Sequence, residues 1–284
     1  MALPAKLQAD VNFRRGLAAA AGVSVLALAA IVIFLLSQAL PIFAHVSLKD
    51  FLFSTEWYPT DDPPVFGIGA LIAGSLACAA LTTLIAVPFG VLTACAIHAG
   101  MPPALTRIVK PLIELMAALP SVVIGFIGMI ILAPWLQDMF GIATGLNLFN
   151  ASIMLAFMCV PTIASISEDA LRNVPSGLRE ASLALGATRW ETLLKVELRW
   201  AMGGIATAVM LGISRVIGET MVVLMVAGGA AIIPESIAAE MAEAAVGGEH
   251  YHALYATGLV LFIITFAFNL CAWYAARRFG LEKK

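Results

Sequence analysis

The sequence predicts an all-α, polytopic membrane protein with six transmembrane helices. Of its 284 residues, 61% are apolar and 12% are charged, whereas about a quarter of the residues of soluble domains carry a charge. The mean hydropathy is +0.97. Apolar runs long enough to cross a bilayer, about 17 to 25 residues, occur near residues 17–40, 67–97, 112–135, 151–168, 201–228 and 253–276.

The first apolar run follows Arg14 and Arg15, as the core of a secretion signal would. At about 24 residues it exceeds the 7 to 15 expected of such a signal, and no small-x-small cleavage site follows it. We therefore interpret 17–40 as the first membrane span.

The cations are segregated along the chain. All 16 Lys and Arg except Lys49 and Arg215 lie in segments that six spans place on one side of the membrane. Because cytoplasmic loops are enriched in Lys and Arg, both termini and the 169–200 loop are predicted to be cytoplasmic. These cations are Lys6, Arg14, Arg15, Arg107, Lys110, Arg172, Arg179, Arg189, Lys195, Arg199, Arg277, Arg278, Lys283 and Lys284.

Helix-breaking residues interrupt several of the spans. They favour a bundle that surrounds a pathway and changes shape, because neighbouring helices or water must satisfy the freed backbone groups. For any single residue, close packing of helices is an equally good explanation. The residues are Pro88, Pro120, Gly125, Gly128, Pro161, Gly212 and Gly218.

The 169–200 loop contains two short helices and must lie in water. Ser176 is a candidate N-cap of the first helix, and Gly186 is its expected end. Thr188 and Glu191 form a Thr-x-x-Glu capping box, so the second helix begins directly after a turn at Gly186 and Ala187. The first helix carries an apolar stripe, which fits either the bilayer surface or a groove in a soluble partner. The stripe consists of Leu178, Ala181 and Leu185.

Arg215 lies near the middle of the fifth predicted span. An arginine at the bilayer centre costs about 2.5 to 3.5 kcal/mol on insertion scales, so it should face protein or water and have a partner. Glu219, four residues later, is predicted to share its helix face and to be that partner. A closed pair would only orient the helix. An open one is an anion site, because a guanidinium matches a tetrahedral oxyanion and the carboxylate favours an oxyanion that carries a proton.

Other chemistry finds little support in the sequence. It contains no Gly-x-x-x-x-Gly-Lys-Ser/Thr nucleotide-binding loop, so the chain is predicted to be non-enzymatic, and ATP and Mg²⁺ to bind a partner. Within Glu249-His-Tyr-His252 the two histidines lack a third ligand. Neither a metal nor a nucleic-acid partner is expected. Cysteines are expected to act as small apolar residues: Cys78, Cys95, Cys159 and Cys271.

The 169–200 loop resembles the EAA motif of bacterial ABC importer permeases. Ser182 replaces the second alanine of that motif and Val196 its isoleucine, while Arg199 replaces its proline, so the second helix can continue into the next span. The resemblance implies a coupling helix that docks into an ATPase subunit. Matching positions are Glu180, Ala181, Gly186 and Leu198, and the implied coupling residues are Glu180, Ala181, Ser182, Leu185, Gly186 and Ala187.

A second resemblance is more specific. Arg215-Val-Ile-Gly-Glu-Thr-Met-Val-Val followed by Met225-Val-Ala-Gly228 is similar to the fifth-span motif of the C-type permease subunits of phosphate-specific ABC transporters, and the likeness extends over about 55–280. It implies a type I ABC importer permease fold in a single permease domain, 1–284, in the bacterial inner membrane. Arg215 and Glu219 are then the translocation residues for phosphate entering from the periplasm.

The same resemblance implies partners and leaves rivals. Expected partners are an ATPase dimer, a homologous A-type permease and a periplasmic phosphate-binding protein. Another oxyanion, such as molybdate or a phosphonate, remains an alternative substrate. A proton-coupled secondary transporter with Glu219 as proton relay is the alternative from another class. The capped 176–198 loop disfavours it, since a symporter needs no docking helix.

Overall fold

The structure is a computed structural model that describes residues 5–278, without the side chains of 5–12, 103, 272 and 275–278. Of the predicted cytoplasmic cations, five therefore lie outside the described side chains: Lys6, Arg277, Arg278, Lys283 and Lys284.

The regular secondary structure of the described chain is helical apart from one two-stranded hairpin. Its first half comprises α1 (Ala5–Ala39), a 3₁₀ turn (Leu40–Ala44), α2 (Leu48–Phe53), antiparallel strands β1 (Trp57–Tyr58) and β2 (Val65–Phe66), α3 (Gly69–Cys95), π-helical turn π1 (Ala96–Gly100), α4 (Pro103–Ala117), α5 (Ser121–Ile127), π2 (Gly128–Leu132) and α6 (Ala133–Phe140). Its second half comprises α7 (Leu148–Arg172), α8 (Ser176–Ala184), α9 (Arg189–Thr192), π3 (Leu193–Glu197), α10 (Leu198–Ile217), α11 (Met221–Val226), α12 (Ile233–Glu240) and α13 (Glu249–Arg278).

Six helical segments of the described chain are long and apolar enough to cross a membrane, as predicted. The third begins later than expected: α4 ends at Ala117, and the span runs from Ser121 to Phe140. The fifth is wrong as a single helix over 201–228, because α10 ends at Ile217 and the chain is not helical again until Met221. The expected continuation of the second loop helix into this span is confirmed, since α9, π3 and α10 are continuous.

Helix α7 lies at the centre of the bundle. In its most apolar 18-residue window 61% of the residues are buried, against 0% in that of α1, which packs along α13. Glycines bring the neighbouring helices close to α7. A Cβ atom on Gly90 of α3 would lie 2.6 Å from Ile163 Cγ2, and one on Gly212 of α10 would lie 2.7 Å from Cys159 Sγ. These glycines therefore serve close packing.

Polar contacts define two ends of the bundle. At one end, which we call the basic end, π1 and α4 contact α7, α8 and π3 through ion pairs. At the opposite end, which we call the acidic end, Trp57 Nε1 donates to Glu240, and Glu240 Oε2 lies 2.8 Å from His250 Nε2. Pro234 stands in the first turn of α12. The loops that the cation pattern assigned to one side therefore do lie together.

Candidate functional site

Arg215 lies in the last turn of α10, level with the middle of the bundle, and its side chain is on the outer surface of the bundle. Its Nη1 is 3.5 Å from Thr162 Oγ1. Thr162 lies 14 residues after the start of α7 and 10 before its end, or roughly 21 and 15 Å at 1.5 Å per residue. The side chain is exposed and shares its helix face with exposed Leu211. The guanidinium is therefore not sealed against protein in the single chain.

Glu219 is not the partner of Arg215, which corrects the prediction that the two share a helix face. The helix ends at Ile217, so the four-residue spacing no longer brings the side chains together. Within the described part of the chain, no ion pair joins them. Instead, Glu219 Oε1 accepts from the backbone N–H groups of Met221 at 3.2 Å and Val222 at 3.5 Å.

The carboxylate of Glu219 therefore caps α11. The first N–H groups of a helix lack partners within it, and an anion beside them is favourable. Burial of Val222, Val223 and Val226 fixes the new direction of the chain, since all three are at most 2% exposed. Gly218, which costs about 1 kcal/mol relative to alanine within a helix, stands where α10 ends.

At the basic end, the turn between α8 and α9 has the predicted geometry. Gly186 has φ of +88°; its N–H donates to Leu183 O and that of Ala187 donates to Ser182 O, the pair of bonds of a Schellman motif. The capping box of Thr188 and Glu191 is complete. The expected N-cap was wrong, because Pro175 takes that position without a side-chain bond and Ser176 is the first helical residue.

Helix α8 buries none of its residues in the described structure. Leu178 is 40% exposed and Leu185 is 90% exposed; Ala181 is exposed as well. Glu180 is also exposed, and no hydrogen bond or ion pair reaches it from the described residues. The predicted apolar stripe is thus left exposed by the part of the chain that the structure describes.

One side chain of α8 and two residues beneath it form a contact that the sequence analysis did not predict. Glu197 of π3 is 3% exposed, forms an ion pair with Arg179 of α8 and lies within hydrogen-bond distance of His98 of π1. Its only signal in the sequence was a carboxylate just before an apolar run. That signal does not reveal the partners, which are 18 and 99 residues away.

The acidic end contains a cleft of about 360 Å³ beside Trp57, Glu235 and Glu240. Glu235 Oε1 accepts from Gly229 N–H at 3.0 Å, while Oε2 has no partner within the described chain. Burial raises the pKa of this carboxyl above its ordinary value. The nearby histidines point to different groups: His250 to Glu240, and His252 Nδ1 to Gln38 O at 2.7 Å.

Residues 86–280 match the family model of the binding-protein-dependent transport system inner membrane component. The chain is 38% identical over 282 residues to the "Probable ABC transporter permease protein YqgH" of Bacillus subtilis (strain 168), covering 95% of this chain and 91% of that protein. It is 35% identical over 258 residues to the phosphate transport system permease protein PstC of Mesorhizobium japonicum, covering 80% and 78%.

Solved structures agree on the fold. A permease chain of a bacterial alginate ABC transporter superposes with a TM-score of 0.66 at 16% identity, covering 96% of this chain and 98% of that one. A chain of the inward-facing MetNI methionine ABC transporter gives 0.58 at 22% identity, covering 75% and 94%. Six apolar helices, the unburied helix α8 and these likenesses lead to one assignment: the chain belongs to the binding-protein-dependent transport system inner membrane components, as an ABC importer permease subunit with the type I fold.

Proposed function

We propose that this permease subunit moves inorganic phosphate from the periplasm into the cytoplasm, driven by ATP hydrolysis in a separate subunit. The proposal rests mainly on the position of Arg215, an exposed cation that lies level with the middle of α7 and beside exposed Leu211. Facing lipid there would cost about 2.5 to 3.5 kcal/mol or more. A water-filled pathway on this face removes that cost, and the guanidinium then meets whatever passes.

The chemistry of Arg215 favours an oxyanion. A guanidinium presents planar, paired N–H donors that match the oxygens of phosphate, and Arg215 makes only one long contact, to Thr162, among the described residues. Its donors are therefore available to a ligand. Similarity to proteins named as phosphate transport permeases supports phosphate among the oxyanions.

A pathway at Arg215 needs a second wall. The face that bears Arg215 exposes Leu211 at 40%, and beyond the helix break Met221 is 45% and Leu224 is 38% exposed. A homologous A-type permease that packs over these apolar side chains would bury them and leave a channel between the two chains. Glu219, by capping α11 at the break, positions Met221 and Leu224.

The cation pattern supports an orientation with the basic end and both termini in the cytoplasm. Helix α8 then faces an ATPase dimer, which binds ATP and Mg²⁺; this chain contributes the coupling residues Glu180 to Ala187. A periplasmic phosphate-binding protein delivers substrate to the acidic end. Nucleotide-driven closure of the ATPases would move α8 and alternate access to Arg215.

Phosphate uptake into liposomes tests this proposal. The complete complex, with its binding protein, is reconstituted and [³²P]phosphate uptake is measured with and without ATP. We expect Arg215→Gln to reduce ATP-dependent uptake at least 100-fold while the complex still assembles, because the anion loses the cation that the described part of this chain places at this depth. The matched control is Arg199→Gln, on the same helix but at the basic end, which should retain uptake.

Two outcomes contradict the proposal in different ways. Wild-type uptake rates in Arg215→Gln would remove Arg215 from the pathway. A wild-type complex that transports molybdate or a phosphonate but not phosphate would show that the site is an oxyanion site and that the assignment to phosphate is wrong.

A further inference from the structure

We propose that Glu197 is the positioning residue that transmits movement of α8 to the membrane-spanning helices, through its contacts with Arg179 and His98. We call these three side chains the Glu197 joint. The inference rests on the proposed function in one respect, namely that α8 receives a push from an ATPase subunit.

The first step concerns how α8 is held. None of its residues is fully buried, so apolar packing holds it only weakly against the bundle. Besides the chain itself and the Arg179 contacts, the described residues offer one polar side-chain link, Ser182 Oγ to Thr192 Oγ1 at 2.9 Å. That link reaches only α9. Arg179 is therefore the side chain through which α8 is tied to the helices beneath.

The second step concerns Glu197, which receives both ties. Its side chain is 4% exposed. One carboxylate oxygen, Oε1, accepts from Arg179 Nε, and the other, Oε2, lies 2.9 Å from His98 Nε2. A buried carboxylate is strongly disfavoured without such partners. If α8 moves and Arg179 with it, Glu197 must follow or lose its charged partner.

The third step concerns where the movement would go. Glu197 is the last residue of π3 and leads directly into α10, the helix that bears Arg215. His98 lies in π1, at the end of α3, and its side chain is 8% exposed. Helices α3 and α10 both pack on the central helix α7. One carboxylate thus connects α8 to two of the three helices at the centre of the bundle.

The local backbone and the surrounding space are suited to such movement. Both anchoring residues outside α8 lie in π-helical turns, which are rare and occur frequently at functional sites. A cleft of about 300 Å³ lies beside the joint and is lined by all three side chains, with Leu183, Arg189 and Thr192. The side chains therefore have room to change position without displacing packed apolar residues.

The hydrogen bonds within the joint also allow two arrangements. His98 Nε2 lies 2.9 Å from Glu197 Oε2 and 2.9 Å from Arg179 Nη2. With a proton, this nitrogen donates to the carboxylate; without one, it accepts from the guanidinium. It satisfies one partner at a time, so a small shift of Arg179 changes which of the two bonds is favourable.

A second buried carboxylate provides a matched control. Glu168 of α7 is 2% exposed and also pairs with two cations, Lys110 Nζ at 2.5 Å and Arg172 Nη2 at 3.1 Å. These contacts join α4 to α7 and do not include α8. Glu168 and Glu197 are therefore alike in burial and charge, and differ in whether α8 is connected to them.

The test measures coupling rather than activity alone. In the reconstituted complex, substrate transported per ATP hydrolysed is compared for wild type, Glu197→Gln and Glu168→Gln. We expect Glu197→Gln to lower this ratio at least tenfold while ATP hydrolysis persists, because the ATPases still turn over but α3 and α10 no longer follow α8. For Glu168→Gln we expect rates to fall together and the ratio to stay within twofold of wild type.

Arg179→Lys keeps the charge but cannot bond to Glu197 and His98 with one planar group, and it serves if Glu197→Gln does not assemble. We expect the ratio to fall several-fold in that variant. An unchanged ratio in the assembled variants, or an equal fall in Glu168→Gln, would overturn the inference. A wild-type complex that binds no ATPase would instead overturn the proposed function, so the two failures are distinguishable.

Discussion

Arg179 and Arg215 are both arginines, but the chain itself neutralises the charge of Arg179 and leaves that of Arg215 uncompensated. Arg179 pairs with a carboxylate that is almost completely buried, and a histidine completes the group. Arg215, in an apolar span, has one hydrogen bond among the described residues, to the hydroxyl of Thr162 at 3.5 Å. A cation that the chain itself neutralises holds structure together, whereas one left uncompensated at a cost is available to a ligand. This contrast is the basis of the mechanical role proposed for the basic end and of the substrate contact proposed for Arg215.

The largest effect expected from this contrast is on the free energy of unfolding. Arg179→Gln leaves Glu197 buried with one partner fewer, so we expect it to destabilise the protein by about 2 kcal/mol, less than for a fully buried pair because Arg179 is partly exposed. Arg215→Gln removes an uncompensated charge and should leave stability unchanged or raise it. The buried thiols of Cys78, Cys95 and Cys159 allow detection of thermal unfolding with a thiol-reactive fluorophore.

Arg215→Lys tests whether phosphate recognition needs the guanidinium itself or only its positive charge. Lysine keeps the charge but presents no planar fork, so we expect phosphate uptake to fall about tenfold, equivalent to about 1.4 kcal/mol. Uptake at wild-type rates with lysine would mean that charge alone suffices. A loss as complete as that in Arg215→Gln would mean that the paired donors are indispensable.

Glu235 provides the reverse case, a buried carboxyl whose described partner is one backbone N–H. Its raised pKa means that folding favours the protonated form. This contribution is full below the ordinary pKa and is lost as the pH rises through the folded-state value. We therefore expect Glu235→Gln to stabilise the protein at pH 8, with the gain vanishing near pH 4, as measured by the free energy of unfolding at the two pH values. An equal gain at both pH values would contradict this assignment.

Glu219→Gln has the smallest expected effect. The amide oxygen still accepts from the N–H groups of Met221 and Val222, so we expect the unfolding temperature to change by less than the equivalent of about 0.5 kcal/mol. Had Glu219 been the ion-pair partner of Arg215, its neutralisation would leave a buried charge and cost several times more. A large destabilisation would therefore reinstate the pair that the helix break excludes.

Much of the architecture could be predicted because its causes are local. Apolar runs of sufficient length predicted the six spans, and the distribution of Lys and Arg predicted which loops lie together. The turn at Gly186 and the capping box at Thr188 were also predicted, since a left-handed glycine and a Thr-x-x-Glu cap depend on residues a few positions apart. Even the continuous helix from α9 into α10 was expected, because Arg199 stands where a proline would end it.

The predictions that were wrong depended on distant residues. Gly218 was recognised as a helix-breaking residue, but apolar residues continue on both sides of it, so the sequence did not show that α10 ends there and that Val222 and Val223 pack in a new direction. Similarly, the partners of Glu197 come from helices far away in the chain. The sequence by itself determined which segments enter the membrane and how the 169–200 loop turns, because these follow from the hydrophobicity of each segment and from short-range backbone hydrogen bonds. Only the tertiary structure decided which charges are compensated, because that depends on which helices pack together and where each one ends.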